Sequence, residues 1–207
     1  LAKGLLVSIE NNQVPLLHVL SDTIREMSEG ELLQLEKARK LDIQEDIYFD
    51  IIRKKTASLI ASACAVGAIS VGATEEEIAK LKLIGEKVGI AFQIKDDLLD
   101  FGDTETGKPK AIDIKERKLT LPLIYTLKNV SSTERKTIIN IVKNENTNTE
   151  KVNYVIAQIQ QNGGLQYAEM LMNKHIQEAH KLLDSFRNSE AKTAFKELID
   201  FVVERKS

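Results

Sequence analysis

From Pro15 onward, Leu17, Leu20, Ile24 and Met27 recur at three- and four-residue spacing, the repeat of one apolar helix face. That rhythm returns along the chain, and no stretch alternates apolar and polar residues with the period of two that a half-buried strand needs. A chain so patterned has to bury helices against helices. Its 207 residues suffice for one sizeable hydrophobic core. The expected fold is all-α, a single domain over residues 1–207.

The opening "LAKGLLVSIE" reads as helix from its first residue, with no capping residue ahead of it. The Pro15 helix runs through "KARKL", and a second long helix covers about Asp46 to Ile69. Thr74 followed by Glu77 has the form of a capping box, starting a third helix that ends around Phe101. A polar stretch follows, Gly102 to Lys118, and Pro122 then lies in the first turn of the next helix. Ser132, the run Asn162–Gly163–Gly164, and Asn188 divide the remainder into three or four shorter amphipathic helices.

Charge excludes some partners. With 29 basic and 31 acidic residues the net charge is -2, so no global field favours nucleic acid or an anionic membrane. The run Thr56 to Ala73 carries no charge, but it is shorter than the roughly 20 strongly apolar residues of a membrane span. Built on Ala, Ser and Gly, it is expected as a central helix packed on all sides, and no transmembrane segment is expected. A single cysteine, Cys64, forms no intrachain disulfide and fits a reducing, cytoplasmic setting.

The chemistry is concentrated in "FQIKDDLLDFGD", residues 92–103. On a helix Asp96 and Asp100 stand one turn apart on one face, with Asp97 about 100° around from Asp96. Like charges at that spacing cost roughly 0.2–0.5 kcal/mol even when solvated, and a helix C-terminus disfavours anions further. Ile90, Phe92, Ile94, Leu98 and Leu99 around them imply at least one buried flank. A buried carboxylate needs a partner or a proton. Lys95 alone cannot neutralise the set, whereas a divalent cation can. Oxygen ligands without nearby His or Cys select magnesium over zinc, and magnesium completes its shell with phosphate oxygens. An exposed acidic helix end is the alternative explanation of the bare pattern.

Lys108, Lys110, Lys115, Arg117 and Lys118 follow directly, and "RKKTASL" places Arg53, Lys54 and Lys55 at the entrance to the apolar helix. Beside metal-bound diphosphate these cations would form a second clamp; otherwise they are simple salt bridges. Gly102 to Lys108 also spells most of a phosphate-binding P-loop. Pro109 stands where a Ser or Thr should ligate magnesium, and the segment follows a helix, so that reading is rejected.

Together, "EGELLQLE", "RKKTA", "GIAFQIKDDLLDF" and "GKPKAIDIKERKLTLPL" resemble the trans-polyprenyl diphosphate synthases, isoprenoid chain-elongating prenyltransferases of bacterial type. The resemblance runs from Leu1 to about Leu127. It implies an isoprenoid (terpenoid) synthase-type helical bundle around a central cavity. The implied activity is magnesium-dependent condensation of an allylic prenyl diphosphate with isopentenyl diphosphate, and the implied assembly is a homodimer. By this resemblance Asp96, Asp97 and Asp100 form the Mg2+ site, with Asp97 in support. Lys55, Lys108 and Lys118 contact the diphosphate, Lys55, Thr56 and Gln93 serve catalysis, and Asp113 buttresses the loop. The family's first aspartate-rich motif is expected upstream of Leu1, which makes this chain roughly the C-terminal two-thirds of a polyprenyl synthase. A non-catalytic subunit of a heteromeric synthase and a terpene cyclase are the rival readings. The first has no need of all these charges together, and the G-K-P loop speaks against the second.

Overall fold

The computed structural model describes residues 2–40, 44–102 and 111–205. Every regular element among them is helical. In chain order these are α1 (Ala2–Glu10), α2 (Val14–Lys40), α3 (Glu45–Ile52), a π turn (Arg53–Ala57), α4 (Ser58–Ser70) and α5 (Glu75–Leu99). There follow α6 (Ile112–Lys115), α7 (Leu121–Asn129), α8 (Ser132–Asn144), α9 (Thr149–Gln161), α10 (Gly164–Asp184) and α11 (Glu190–Glu204). The all-α expectation holds. The expected second long helix is present, but a π turn divides it, and the polar stretch after α5 contains the short α6.

The bundle is organised on α5. Ile84, Val88, Ile90, Ala91 and Ile94 are buried along it, and α4, α10, α11 and the π turn pack against it. Its start is the expected capping box: Glu77 N–H donates to Thr74 Oγ1 at 3.3 Å, and Thr74 N–H donates to Glu77 Oε2 at 2.9 Å. On the far side, α7 contributes Leu121, Leu123, Ile124 and Leu127 to the same core as Val155 and Ile159 of α9 and Ala168 and Met172 of α10.

The antiparallel contact of α5 with the π turn and α4 is unusually close. At Gly89 a Cβ would stand 2.5 Å from Ala57 Cα. Only a residue without a side chain lets the two backbones meet there, and that approach brings the π turn against the C-terminal half of α5.

The uncharged helix α4 differs from expectation. Ala61, Ala65 and Ala68 are buried, while Leu59, Ala63, Gly67 and Ser70 form an exposed stripe. It is not packed on all sides. Small residues all around give almost no amphipathic contrast, so the sequence does not mark the open face. No described helix is long and apolar enough to cross a membrane.

Candidate active site

Two segments face each other at the C-terminal end of α5. One is the π turn, carrying Lys55 and Thr56; the other is the last turns of α5, carrying Gln93, Asp96 and Asp97, with Asp100 at the C-cap. π segments interrupt helices mostly as single turns and frequently at functional sites. Here α2 crosses directly beneath, where a Cβ on Gly30 would stand 2.8 Å from the Lys55 backbone nitrogen.

Across this junction Thr56 Oγ1 donates to Gln93 Oε1 at 2.9 Å, and Gln93 Nε2 donates to Asp97 Oδ1 at 3.1 Å. The other carboxylate oxygen, Asp97 Oδ2, accepts the Tyr48 hydroxyl proton at 2.6 Å. Asp97 is fully enclosed, and burial pushes its pKa up to about 7 against the pull of the Tyr48 and Gln93 hydrogen bonds. Burial, reinforced by the Asp97 charge, holds the Tyr48 phenol well above its ordinary range.

Asp100 has a different environment. Its Oδ1 accepts Ile112 N–H at 2.9 Å and its Oδ2 accepts Asp113 N–H at 3.1 Å, so the carboxylate caps the four-residue α6. Ala111, just ahead of that helix, turns the chain with φ 54°. Burial and then the neighbouring Asp113 raise the Asp100 pKa, opposed by the two backbone donors and by Lys118. Asp113 is likewise raised by burial and held down by Lys118, whose Nζ lies 3.3 Å from Asp113 Oδ1 and 2.6 Å from Glu116 Oε2.

Asp96 points outward, its side chain 40% exposed, and pairs with Arg205 just past the end of α11. The Arg205 guanidinium lies 4.0 Å from the centre of the Phe92 ring and also donates to the Phe92 carbonyl. This partner adds a cation from the end of a distant helix to a set for which the sequence offered only Lys95 nearby. Tyr48, Arg205 and the α6 backbone each answer one of them, so burial alone does not demand a metal. Tyr48 is buried and holds Asp97. Both Arg205 and Tyr48 lie too far along the chain, 109 and 49 residues from their partners, for spacing to reveal them.

Lys55 reaches in the other direction, with Nζ 2.8 Å from Gln34 Oε1 and 3.1 Å from Glu31 Oε1 on α2. Arg53 and Lys54 pair with Asp50 at 2.9 and 3.1 Å. The structure therefore joins Thr56, Gln93 and Asp97 into one chain and Asp100, Asp113 and Lys118 into another. Among the described residues no hydrogen bond or ion pair links Lys55 to the aspartates. Lys108 lies outside the described residues, as do Lys110, Asp103 and most of the rejected P-loop.

Whether a divalent cation suits this end of α5 is a question of donors. Asp96 and Asp100 offer hard oxygen atoms one turn apart, and each Asp100 oxygen keeps a lone pair beyond its backbone bond. Among the described residues no three acidic, His or Cys side chains converge as a closed metal cage. Magnesium asks for less: one or two carboxylates, water and phosphate oxygens. The donors fit that ion. A cavity of about 730 Å³ between α3, α7, α8 and α10, lined by Phe49, Leu119, Ile124, Arg135 and Tyr167 among others, includes none of these aspartates.

Comparison with known proteins identifies the family. The family model described as Polyprenyl synthetase matches residues 1–159. The chain belongs to the polyprenyl synthetase family, and its fold is the isoprenoid synthase-type helical bundle. It is 37% identical over 192 residues to a short chain isoprenyl diphosphate synthase of Methanothermobacter thermautotrophicus, covering 91% of this chain and 58% of that protein. A decaprenyl diphosphate synthase from Rhodobacter capsulatus superposes with a TM-score of 0.92 at 32% identity, over 100% of this chain and 64% of that one. A polyprenyl synthase from Caulobacter crescentus, solved with calcium and isoprenyl diphosphate, gives 0.91 at 31% identity, over 100% and 63%. The chain thus spans less than two thirds of the length of these relatives.

Proposed function

We propose that the chain is the C-terminal part of a polyprenyl diphosphate synthase, a single domain that binds an allylic prenyl diphosphate through Mg2+ for condensation with isopentenyl diphosphate. The observation that carries this reading is the position of Asp96 and Asp100 on one face at the end of α5, one turn beyond the Gln93–Thr56 pair. The calcium and isoprenyl diphosphate bound by the Caulobacter relative support it.

In this reading Asp96 and Asp100 are the magnesium ligands, and Asp97 supports them from behind. Magnesium supplies positive charge that stabilises the departing diphosphate. Lys118, held by Asp113, neutralises the same group together with Lys108 and Lys55. Breaking the allylic C–O bond leaves a diphosphate anion and a carbocation. Thr56 and Gln93 face that cation with oxygen atoms, and apolar walls keep water from it. A homodimer and a cytoplasmic setting complete the proposal. Leu6, Val7, Ile9, Leu32 and Leu35 on α1 and α2 are exposed apolar side chains that fit a subunit contact.

The test is incorporation of labelled isopentenyl diphosphate into acid-stable prenyl product, with a series of allylic primers and with magnesium present or chelated. Magnesium-dependent incorporation, abolished in Asp96→Ala with Asp100→Ala, is expected. Activity unchanged by that pair of substitutions sinks the proposal.

A further inference from the structure

We infer that Tyr48 is a positioning residue that fixes the polarity of the Thr56 hydroxyl, acting through Asp97 and Gln93. The inference rests on the prenyl-diphosphate reading above and assigns a role to a residue outside the aspartate and lysine motifs.

The argument is one of donors and acceptors. Asp97 receives hydrogen bonds from the Tyr48 hydroxyl at 2.6 Å and from Gln93 Nε2 at 3.1 Å. In this arrangement Tyr48 and Gln93 each donate to one carboxylate oxygen, so both oxygens of Asp97 act as acceptors. The Gln93 amide must therefore turn its nitrogen toward Asp97 and its oxygen toward Thr56. That oxygen, 2.9 Å from Thr56 Oγ1, can only accept, so it takes the single hydroxyl proton of Thr56. What Thr56 then offers any other neighbour is lone pairs. With the amide turned the other way, Thr56 would accept from Gln93, and its proton would point outward as a partial positive charge.

Tyr48 anchors the sequence of bonds. It is 4% exposed, and its ring meets Phe49 edge-on at 5.4 Å between centroids. A hydroxyl held that firmly lets Asp97 rotate little, and a fixed Asp97 fixes the amide. Two oxygen atoms of fixed polarity beside a forming carbocation stabilise it without reorganising as charge develops. Tyr48 touches no reacting atom in this account; it sets the direction of groups that do.

The experiment compares two ligands bound with magnesium by calorimetry. One is an allylic diphosphate analogue with an ammonium nitrogen at the cationic carbon; the other is its uncharged carbon isostere. The wild-type protein is expected to prefer the charged analogue. Tyr48→Phe is expected to reduce that preference about tenfold, the worth of a hydrogen bond to a charged group, while holding the neutral analogue as before. Val155→Ala, a core change on α9 with no part in this sequence of bonds, controls for packing: it should lower the melting temperature and leave the preference intact. Should Tyr48→Phe not fold, the isosteric Asp97→Asn serves. Tyr48 then donates to the new amide oxygen, its NH2 faces Gln93, the Gln93 amide reverses, and the preference should fall.

A wild-type preference that survives Tyr48→Phe, or survives Asp97→Asn where that stands in, overturns the inference and leaves the functional reading standing. Equal loss in Val155→Ala also overturns it, as does a wild type that binds both analogues equally. A wild type that binds neither analogue removes the prenyl-diphosphate reading itself.

Discussion

Arg205, just past the end of α11, closes an ion pair on Asp96 of α5 and stacks its guanidinium on the Phe92 ring beneath. The pair occupies the carboxylate proposed to meet magnesium. Its two contacts, a partly exposed ion pair and a cation–π contact, together contribute about 1 kcal/mol.

Arg205→Gln removes a competitor for that carboxylate. Divalent binding, read by magnesium titration without substrate, should tighten by roughly fivefold, the equivalent of about 1 kcal/mol. The metal-free protein should melt slightly earlier. Weaker metal binding in the variant would show instead that Arg205 helps to assemble the site.

Asp96 and Asp100 should separate by stability. Asp96 is outward and caps nothing, so Asp96→Ala should cost transferase activity and, through the partly exposed Arg205 pair, only about 0.2–0.5 kcal/mol of stability. Asp100 also caps α6 through Ile112 and Asp113, so Asp100→Ala should cost activity and about 1 kcal/mol of stability. Parallel urea melts and turnover assays decide this; equal stability for both variants would mean that the α6 cap carries no weight.

The comparison between pattern and structure follows the range of each interaction. The helices, the Thr74–Glu77 box and the one-turn offset of Asp96 and Asp100 rest on residues within a turn or two, and their spacing is legible. Thr56 and Gln93 entered through a family resemblance, and the structure brings them to 2.9 Å. Tyr48 on Asp97 and Arg205 on Asp96 arise only when distant helices pack, and nothing in local composition marks them. The π turn is hidden for another reason: "RKKTA" has ordinary helical propensity, and the close crossing of α2 at Gly30 beside it is a long-range contact that local sequence does not mark.

Acid should weaken the fold through His175. Its ring packs on Phe49 at 6.0 Å between centroids, and its buried Nδ1 has no hydrogen-bond partner among the described residues. Burial, then Lys87 and Lys174 against Glu178, lowers its pKa from 6.5 to about 4. Between these values the unfolded chain binds more protons than the folded one, so the stability from a neutral His175 is full above 6.5 and lost as pH falls toward 4. Asp97 acts oppositely: its folded pKa of about 7 lies above 3.8, so its contribution is lost as pH rises through that window. Comparing His175→Phe with wild type isolates the histidine. Unfolding free energy should depend less steeply on acid in the variant, and identical slopes would rule this contribution out.

Gly89 offers the sharpest link between packing and chemistry. An added Cβ would lie 2.5 Å from Ala57 Cα and 2.8 Å from Ala57 Cβ, contacts with backbone and a buried methyl that no side-chain rotation relieves. Gly89→Ala therefore has to push the π turn away from α5, at a cost of about 1–3 kcal/mol. Ala57 adjoins Thr56, and Gln93 is one helical turn beyond Gly89, so the displacement falls on the 2.9 Å Thr56–Gln93 bond. The expected result is a lower kcat for condensation at saturating substrate in protein that is still folded. Measured beside it, Gly67→Ala on the open face of α4, where an added Cβ meets nothing within 4 Å, should leave kcat unchanged. If both variants keep full turnover, the close contact at Gly89 serves packing alone and the α5–π junction does not govern the chemistry.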